Sequence, residues 1–350
     1  VPLYFSAVLD RKPESYGSFH GNTQLADAKE SKGTGAGMYF TFSNEQQEAV
    51  TAKIGLSYTS VENARINLQA EAEGKTFEDA KEQAHQIWQE YLGRIEVETS
   101  KKEDKVKFYT GLYHALLGRG LANDVNGAYP RNDGSVGQLP MKEGKPQYNV
   151  YNTDAAWGAQ WNLSQLWTLA YPEYMSEYVS SHIQAYKDAG WLADGLANNR
   201  YVSGVGTNLL STIIAGAYQC GIRDFDTKLA YEACLKNELD GKDRPFGAGK
   251  VNTAEFVKYG YVPHQDQGEG YHETFMFSAS HTLEYSYSAW AVAQWAKSLG
   301  DTENYDKLMN LSKGWERLYD TSCNFIRPKK ADAVSYTHLR THETDSYLVC

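Results

Sequence analysis

The stretch Thr76–Tyr91, TFEDAKEQAHQIWQEY, marks the point where the sequence changes from one kind of secondary structure to another. Thr76 is a suitable N-cap, and Glu78 and Asp79 stand in the first turn, where the helix dipole favours acidic side chains. Apolar residues then recur at helical spacing, at Phe77, Ala80, Ala84, Ile87, Trp88 and Tyr91. The pattern predicts an amphipathic helix that begins at Thr76.

Before this point, residues 1–75 have the pattern of β-structure. Met38–Ser43 resembles a short strand, and Ala52–Tyr58 alternates apolar and polar residues, as a half-buried antiparallel strand does. After it, nearly every periodic segment is helical. The predicted helices are Val106–Leu117, Ala155–Leu169, Glu173–Ala189, Leu209–Gly221, Phe225–Leu235, Thr282–Leu299 and Thr302–Tyr319. Strands followed by helices indicate a multidomain protein with an all-β domain and then an all-α domain.

Composition excludes several classes of function. The net charge of −10, without a basic cluster, argues against nucleic acid as a partner. The four cysteines have neither the spacing of a zinc site nor that of a disulfide framework. We expect no membrane span, because no run of about 18 apolar residues occurs. No signal peptide is visible, and the strand-like start suggests that the natural N-terminus is missing.

The chain is rich in aromatic residues, with 26 Tyr and 8 Trp. Such side chains suit surfaces that stack on sugars, and equally suit the core of a large helical protein. Two long segments, 120–153 and 240–278, are rich in Gly, Pro, Asn and Asp and contain several aromatic residues. Long irregular segments in a compact domain are commonly functional, so we expect these two to form the walls of a site.

Five stretches carry a likeness to a known family. They are IGLSYTSVENARINLQAE (54–71), KFYTGLYHALL (107–117), DVNGAY (124–129), AYQCGIRDFD (217–226) and TLEYSY (282–287). The sequence resembles glycoside hydrolase family 92 over residues 1–330, with the motifs in family order. Residues 333–350 have no clear period and are predicted to be a non-native tail, so the pair His338 and His342 is not offered as a metal site.

The resemblance implies an N-terminal antiparallel β-sandwich packed on an (α/α)6 toroid, both partial in this chain. The expected domains are a β-sandwich domain at 1–75, linking helices at 76–120 and the toroidal catalytic domain at 121–332. The resemblance also implies a calcium-dependent exo-α-mannosidase of α-1,2 type that is periplasmic or secreted. Such an enzyme would act on mannose-containing glycans such as N-glycans. Such an enzyme inverts the anomeric centre with two carboxyl groups about 6.5–9.5 Å apart.

The sequence departs from the family pattern in three ways. The family's general-base aspartates and its usual general acid are expected beyond residue 330. The Trp–Asp pair that contacts terminal mannose has Trp157–Gly158 in its place, with Asp154 three residues earlier. The usual Glu–Thr pair has no counterpart in Asn198–Asn208, which contains no acid. The alternative function is therefore a catalytically silent mannose-binding relative, and a weaker alternative is another toroidal enzyme such as a polysaccharide lyase.

Eight residues are candidates for the site. Glu273 is the candidate general acid, although a loop carboxylate is often only solvated. Substrate contacts are expected from Asp154, Trp157, Trp161, Arg200 and His272, and calcium ligands from Glu284 and Asn208. The structural alternatives are an N-cap role for Asp154 and core packing for the two tryptophans. Arg200 has the further alternative of a phosphate contact.

Glu284 is the only acid in the aromatic helix SASHTLEYSYSAWAVAQWAK (278–297). The residues at helical spacing after it, Ser288, Ala291 and Trp295, lie on the same side of the helix, form the Glu284 row with it, and include no cation. The neighbouring row of Leu283, Tyr287 and Trp290 is predicted to face the core. A buried carboxylate needs a metal, a cation or several donors. Glu284 is therefore predicted to be a metal or substrate ligand, with a structural hydrogen bond as the alternative.

Overall fold

A computed structural model describes residues 2–43, 48–117, 120–153, 156–197, 200–202, 206–265 and 277–332. The chain divides into two compact units. Pro2–Gln89 forms the first unit, and the second begins at Glu90. None of the helices in the described ranges is long and apolar enough to cross a membrane.

The first unit contains two small antiparallel sheets. Strand β1 (Tyr4–Leu9) pairs with β5 (Ala52–Ser57). Strand β2 (Ser15–His20) lies between β3 (Thr23–Ala26) and β4 (Ala36–Thr41). The prediction of an antiparallel β region at the start of the chain is confirmed.

A helix that the sequence pattern did not predict lies inside the predicted β region. Helix α1 (Val61–Ala72) starts at Ser60, whose hydroxyl accepts the backbone N–H of Asn63. It packs closely on β5 at Gly55, where a β-carbon would lie 2.2 Å from the carbonyl oxygen of Ala64. Contrary to the prediction, residues 1–75 are therefore not purely β-structure, because the capped helix α1 packs on strands β1 and β5.

Helix α2 (Phe77–Leu92) begins where the sequence predicts. The Thr76 hydroxyl accepts the backbone N–H of Asp79 at 3.2 Å, and the Asp79 carboxylate accepts the backbone N–H of Thr76 at 2.8 Å. These reciprocal bonds satisfy two donors that a helix start leaves open. The predicted N-cap is confirmed.

The second unit is mainly helical, as predicted. Its helices are α3 (Lys102–Leu116), α4 (Ala156–Gln160), α5 (Leu163–Ala170), α6 (Pro172–Ala189), α7 (Leu210–Gln219), α8 (Thr227–Leu239), α9 (Thr253–Tyr259), α10 (Ser278–Leu299), α11 (Thr302–Leu311) and α12 (Gly314–Leu318). Four short antiparallel pairs accompany them: β6 (Ala128–Pro130) with β7 (Val136–Gln138), β8 (Met141–Lys142) with β9 (Lys145–Pro146), β10 (Gly195–Ala197) with β11 (Arg200–Val202), and β12 (Tyr319–Asp320) with β13 (Phe325–Ile326). The segments predicted to be irregular thus contain β6–β9 and α9. The closed toroid stays a prediction.

Two predicted helices are each broken in two. The helix predicted over Ala155–Leu169 is interrupted between α4 and α5, where Asn162 has φ −155° and ψ −21°, outside the helical region. The helix predicted over Thr302–Tyr319 is interrupted before Gly314. A β-carbon at Gly314 would lie 2.7 Å from the carbonyl oxygen of Gly260, so glycine allows the chain to turn in close contact there.

Helix α10 buries a different face from the predicted one. Ser288 and Trp295 are fully buried and Ala291 is nearly so, and the Trp295 ring stacks on Tyr218 of α7 at 4.7 Å. Tyr287 and Trp290 are 42% and 48% exposed. The prediction that the row of Leu283, Tyr287 and Trp290 faces the core is wrong, because the small residues of the Glu284 row allow close packing against α7.

An unpaired histidine lies inside the helical core. His182 of α6 is fully buried and meets the Tyr178 ring edge-on at 4.8 Å. Neither ring nitrogen hydrogen-bonds to a residue in the described part of the chain. Burial disfavours the charged imidazolium and lowers the pKa of His182 to about 3.

We expect His182 to make stability fall in acid. In the unfolded chain the imidazole of His182 has a pKa of about 6.5. Below that pH the unfolded state therefore binds a proton that the native state does not bind. The contribution is complete above pH 6.5 and declines by about 1.4 kcal/mol for each pH unit below it, towards the native pKa. His182→Phe keeps an aromatic ring and removes this proton uptake.

The measurement is urea unfolding between pH 4 and 7. His182→Phe should flatten the pH dependence of the unfolding free energy relative to the unmodified chain. His114→Phe removes an exposed histidine from the same unit and controls for the substitution type. Equal pH slopes for the unmodified chain and His182→Phe would contradict this assignment.

Candidate functional site

Two predicted site residues meet directly although they lie 127 positions apart. The indole Nε1–H of Trp157, on α4, donates to Oε1 of Glu284, on α10, at 2.6 Å. Trp157 is 39% exposed, so its ring is only partly covered by protein. The contact joins a candidate sugar-binding residue to a candidate metal ligand.

The surroundings of Glu284 raise its pKa above the ordinary value. Burial of the carboxyl group is the main cause, and the nearby Asp194 carboxylate adds to it. The Trp157 N–H, the Thr207 hydroxyl and the Lys250 ammonium lower the pKa and only partly offset burial. The Thr207 hydroxyl approaches the carboxylate without a hydrogen bond of normal geometry. Oε2 of Glu284 has no hydrogen-bond partner among the described residues, so it can accept one more donor or a cation.

Trp161 extends the aromatic surface next to Trp157. Its ring meets the Trp157 ring edge-on, with centroids 5.9 Å apart and an interplanar angle of 82°. It lies in the break between α4 and α5 and is 59% exposed. An exposed indole beside a carboxylate suits a sugar, which has both apolar C–H faces and hydroxyl groups. The alternative that these two tryptophans belong to the core does not fit their exposure.

Asn208, the other predicted calcium ligand, is fully buried and already bonded. Its amide nitrogen donates to the carbonyl oxygen of Leu192 at 3.0 Å, and its amide oxygen accepts the N–H of Leu210 at 3.4 Å. Its φ of 41° lies in the left-handed region, which asparagine tolerates better than most residues. Its role as a ligand stays a prediction. Within the described ranges, no group of three His, Cys, Asp or Glu side chains has metal-binding geometry.

A buried cation near Glu284 was not predicted. The Lys250 ammonium, 1% exposed, pairs with Glu238 and also bonds the Ser288 hydroxyl in the Glu284 row. The Glu284 row itself contains no cation, and Lys250 comes from a different segment of the chain. Lys250 is one of 34 Lys and Arg residues and precedes a short helix. Its local sequence contains no signal of burial, because the partners come from α8 and α10.

Arg200 lies elsewhere in the second unit. It is in β11, and its Nη2 would be 3.1 Å from a β-carbon at Gly134, in the turn between β6 and β7. The described structure shows no contact between Arg200 and Trp157 or Glu284. Its predicted sugar or phosphate contact stays a prediction. Asp154, His272 and Glu273 lie outside the described residues, as does the 333–350 tail.

A separate cavity of about 460 Å³ occurs in the second unit. Acidic side chains line much of it, including Glu173, Glu177, Asp224 and Asp226. None of the predicted site residues that the structure describes is in its wall. Two of the carboxylates already have local partners, since Glu173 pairs with Arg94 and Asp226 caps α8.

Comparison with family models defines the class of protein to which this chain belongs. Residues 63–347 match the glycosyl hydrolase family 92 catalytic domain, and residues 1–57 match the family 92 N-terminal domain. The chain belongs to glycosyl hydrolase family 92.

Similar proteins are longer than this chain. An uncharacterized secreted glycosidase of Arthroderma benhamiae is 26% identical over 313 residues, which are 86% of this chain and 35% of the relative. A family GH92 inverting mannosidase of Bacteroides thetaiotaomicron has a similar structure, with a TM-score of 0.84, 24% identity and coverage of 96% and 44% of the two chains. A GH92 α-mannosidase of the same organism, in complex with mannoimidazole, has a TM-score of 0.78, 20% identity and coverage of 96% and 42%. The chain thus spans about a third to under half of these relatives.

Exchanging each tryptophan tests whether the Trp157–Glu284 contact stabilises the second unit. Trp157→Phe removes the N–H donor to a half-buried carboxylate, so we expect the free energy of unfolding to fall by about 1–2 kcal/mol. Trp161→Phe is the matched control. It replaces a neighbouring indole by the same smaller ring, but the Trp161 indole makes no such bond to Glu284. Urea unfolding at pH 7 measures both, and equal losses would contradict the assigned role of the bond.

Proposed function

We propose that this chain is part of an exo-acting α-mannosidase that releases terminal α-linked mannose, preferentially from α-1,2 linkages, with inversion and with the help of calcium. The observation that carries the proposal is the match of the family 92 catalytic domain to residues 63–347. Mannosidase activity is named for the two Bacteroides relatives, which supports mannose as the sugar here. Mannose-containing glycans, including N-glycans, are the proposed substrates.

The chemistry of the described site supports sugar binding. The Trp157 and Trp161 rings offer apolar surface for the C–H face of a pyranose. Glu284 offers a buried carboxylate oxygen, Oε2, for a sugar hydroxyl. Oε1 of Glu284 already accepts the Trp157 N–H, and the role of general acid is proposed for Glu273. We therefore assign Glu284 to binding.

Calcium is proposed as the cofactor, and only part of the expected ligand set fits. Calcium takes six to eight oxygen ligands, and Oε2 of Glu284, which has no hydrogen-bond partner among the described residues, could supply one of them. The amide oxygen of Asn208 would first have to leave the N–H of Leu210. Bound calcium would hold sugar hydroxyls and favour a distorted ring.

The remaining roles fall on residues that the structure does not describe. Glu273 is proposed to protonate the leaving oxygen, and His272 and Asp154 are proposed to contact the sugar. Action outside the cytoplasm, in a periplasm or after secretion, is proposed because the Arthroderma relative is called a secreted glycosidase.

Incubation of the full-length protein with α-1,2-linked mannobiose, followed by proton NMR, tests the proposal. We expect free mannose to appear first as the β-anomer, since inversion of an α-linkage yields β-mannose. Removal of calcium by EDTA should abolish release, and added calcium should restore it. The same concentration of an α-galactoside is the matched control substrate.

Other outcomes point to other functions. Binding of mannose without release contradicts the hydrolase proposal and supports the silent mannose-binding relative. A product that absorbs ultraviolet light, as unsaturated sugars do, would indicate a lyase. First appearance of the α-anomer would contradict inversion.

Glu273→Gln in the full-length protein tests the proposed general acid. A glutamine cannot donate the proton, so we expect kcat for mannobiose to fall about a hundredfold or more. An aryl α-mannoside with an acidic phenol as its leaving group needs little protonation and should lose much less. Glu303→Gln, at an exposed position of α11, is the control. Equal losses for both substrates would refute the acid role of Glu273.

A further inference from the structure

Lys250 and Glu238 form an ion pair that is removed from solvent. Each residue is at most 2% exposed, and the Lys250 ammonium contacts the Glu238 carboxylate and the Ser288 hydroxyl. The Tyr285 ring lies 5.0 Å from the same ammonium. Two charges are costly to bury, and apolar residues of similar volume often stabilise a core as well or better. The contacts of the pair indicate that it has a second role besides stabilising the core.

The first set of contacts fixes helix α10 around Glu284. Ser288 is one turn after Glu284 and is held by Lys250. The Tyr285 hydroxyl donates to the carbonyl oxygen of Val251 at 2.6 Å, next to Lys250 in the chain. Residues 250 and 251 therefore bond α10 at Tyr285 and Ser288, in the turn that follows Glu284.

The second set of contacts reaches the segment that carries Thr207. Glu238 also accepts the Ser211 hydroxyl, at the start of α7. Its neighbour Asn237 donates to the carbonyl oxygen of Asn208 at 3.1 Å. Asn208 directly follows Thr207, whose hydroxyl approaches Glu284. The ion pair and its neighbour Asn237 thus bond both α10, which carries Glu284, and the segment 207–211, which carries Thr207.

We propose that Lys250 and Glu238 are positioning residues that hold the Glu284 carboxylate against Trp157 and Thr207, although neither of them touches the sugar. The proposal rests on the proposed function only in treating Glu284 as a sugar-binding residue. Removal of the pair should let α10 and the 207–211 segment shift relative to each other. The Trp157–Glu284 bond, which crosses between α4 and α10, would then lengthen or break.

The indole N–H resonance of Trp157 reports that bond directly. The full chain is labelled with ¹⁵N-tryptophan, the Trp157 signal is assigned by its loss in Trp157→Phe, and Glu284→Ala gives the position of the unbonded indole. Lys250→Met leaves an uncompensated carboxylate, so its melting temperature should fall by on the order of 10 °C. Lys250→Met/Glu238→Gln buries no charge and should regain most of that loss.

The double variant separates positioning from mere stability. We expect its Trp157 signal to move to the Glu284→Ala position although the protein is stable. Ser288→Ala keeps the ion pair and removes its link to α10, so its signal should move in the same direction. Arg327→Met breaks a partly exposed ion pair with Asp320 in the same unit and should leave the signal unchanged.

A stable double variant with the Trp157 signal at its original position would overturn the proposal and leave the pair a purely structural one. If the double variant does not fold, an unmoved signal in Ser288→Ala overturns the proposal in its place. Neither readout uses a sugar. A chain that behaves as expected here but binds no mannose would count against the proposed function alone.

Discussion

A charge inside an apolar helical core must be neutralised by a partner, and here Lys250 and Glu238 neutralise each other. Glu238 of α8, Ser288 of α10 and Ser211 at the start of α7 all form hydrogen bonds around this pair. The three helices therefore meet at the ion pair. The Glu284 carboxylate lies one turn from that point. Its position therefore follows from how the core balances charge.

The site combines two kinds of interaction with different ranges. The Trp157 N–H orients one oxygen of Glu284 by a short directional bond. The Lys250 ammonium and the Asp194 carboxylate act on the same group through space, in opposite directions. Burial is the largest influence and raises the pKa of Glu284, so the carboxylate gains when a ligand supplies a further donor or a positive charge. A partly desolvated acceptor beside exposed indoles suits a hydroxyl-rich ligand.

Local chemistry in the sequence predicted much of the fold. The Thr76 cap and the order of strands before helices depend on near neighbours, and both are present in the structure. Helix α1 was not predicted although Ser60 is a good N-cap, since the strand pattern just before it dominated the interpretation. The turn at Gly314 depends on a close contact with the distant residue Gly260, which a periodic pattern does not contain.

The candidate site was predictable to a similar extent. The sequence identified Trp157, Trp161 and Glu284 individually, and the structure brings them together. It could not identify Lys250, whose partners are 12 and 38 positions away. The tryptophans divide between the core and the surface. Trp167 and Trp295 are fully buried in the core, whereas Trp157 and Trp161 are exposed at the site.

The central claim is that mannose binds against Trp157, Trp161 and Glu284. Titration of the ¹⁵N-tryptophan-labelled chain with mannose, in the presence of calcium, tests it most directly, because the chain has 8 indole signals. The account predicts saturable shifts of the Trp157 and Trp161 signals, with the buried Trp167 and Trp295 signals unchanged. Saturable shifts confined to other tryptophans, or no shift at any concentration, would contradict it.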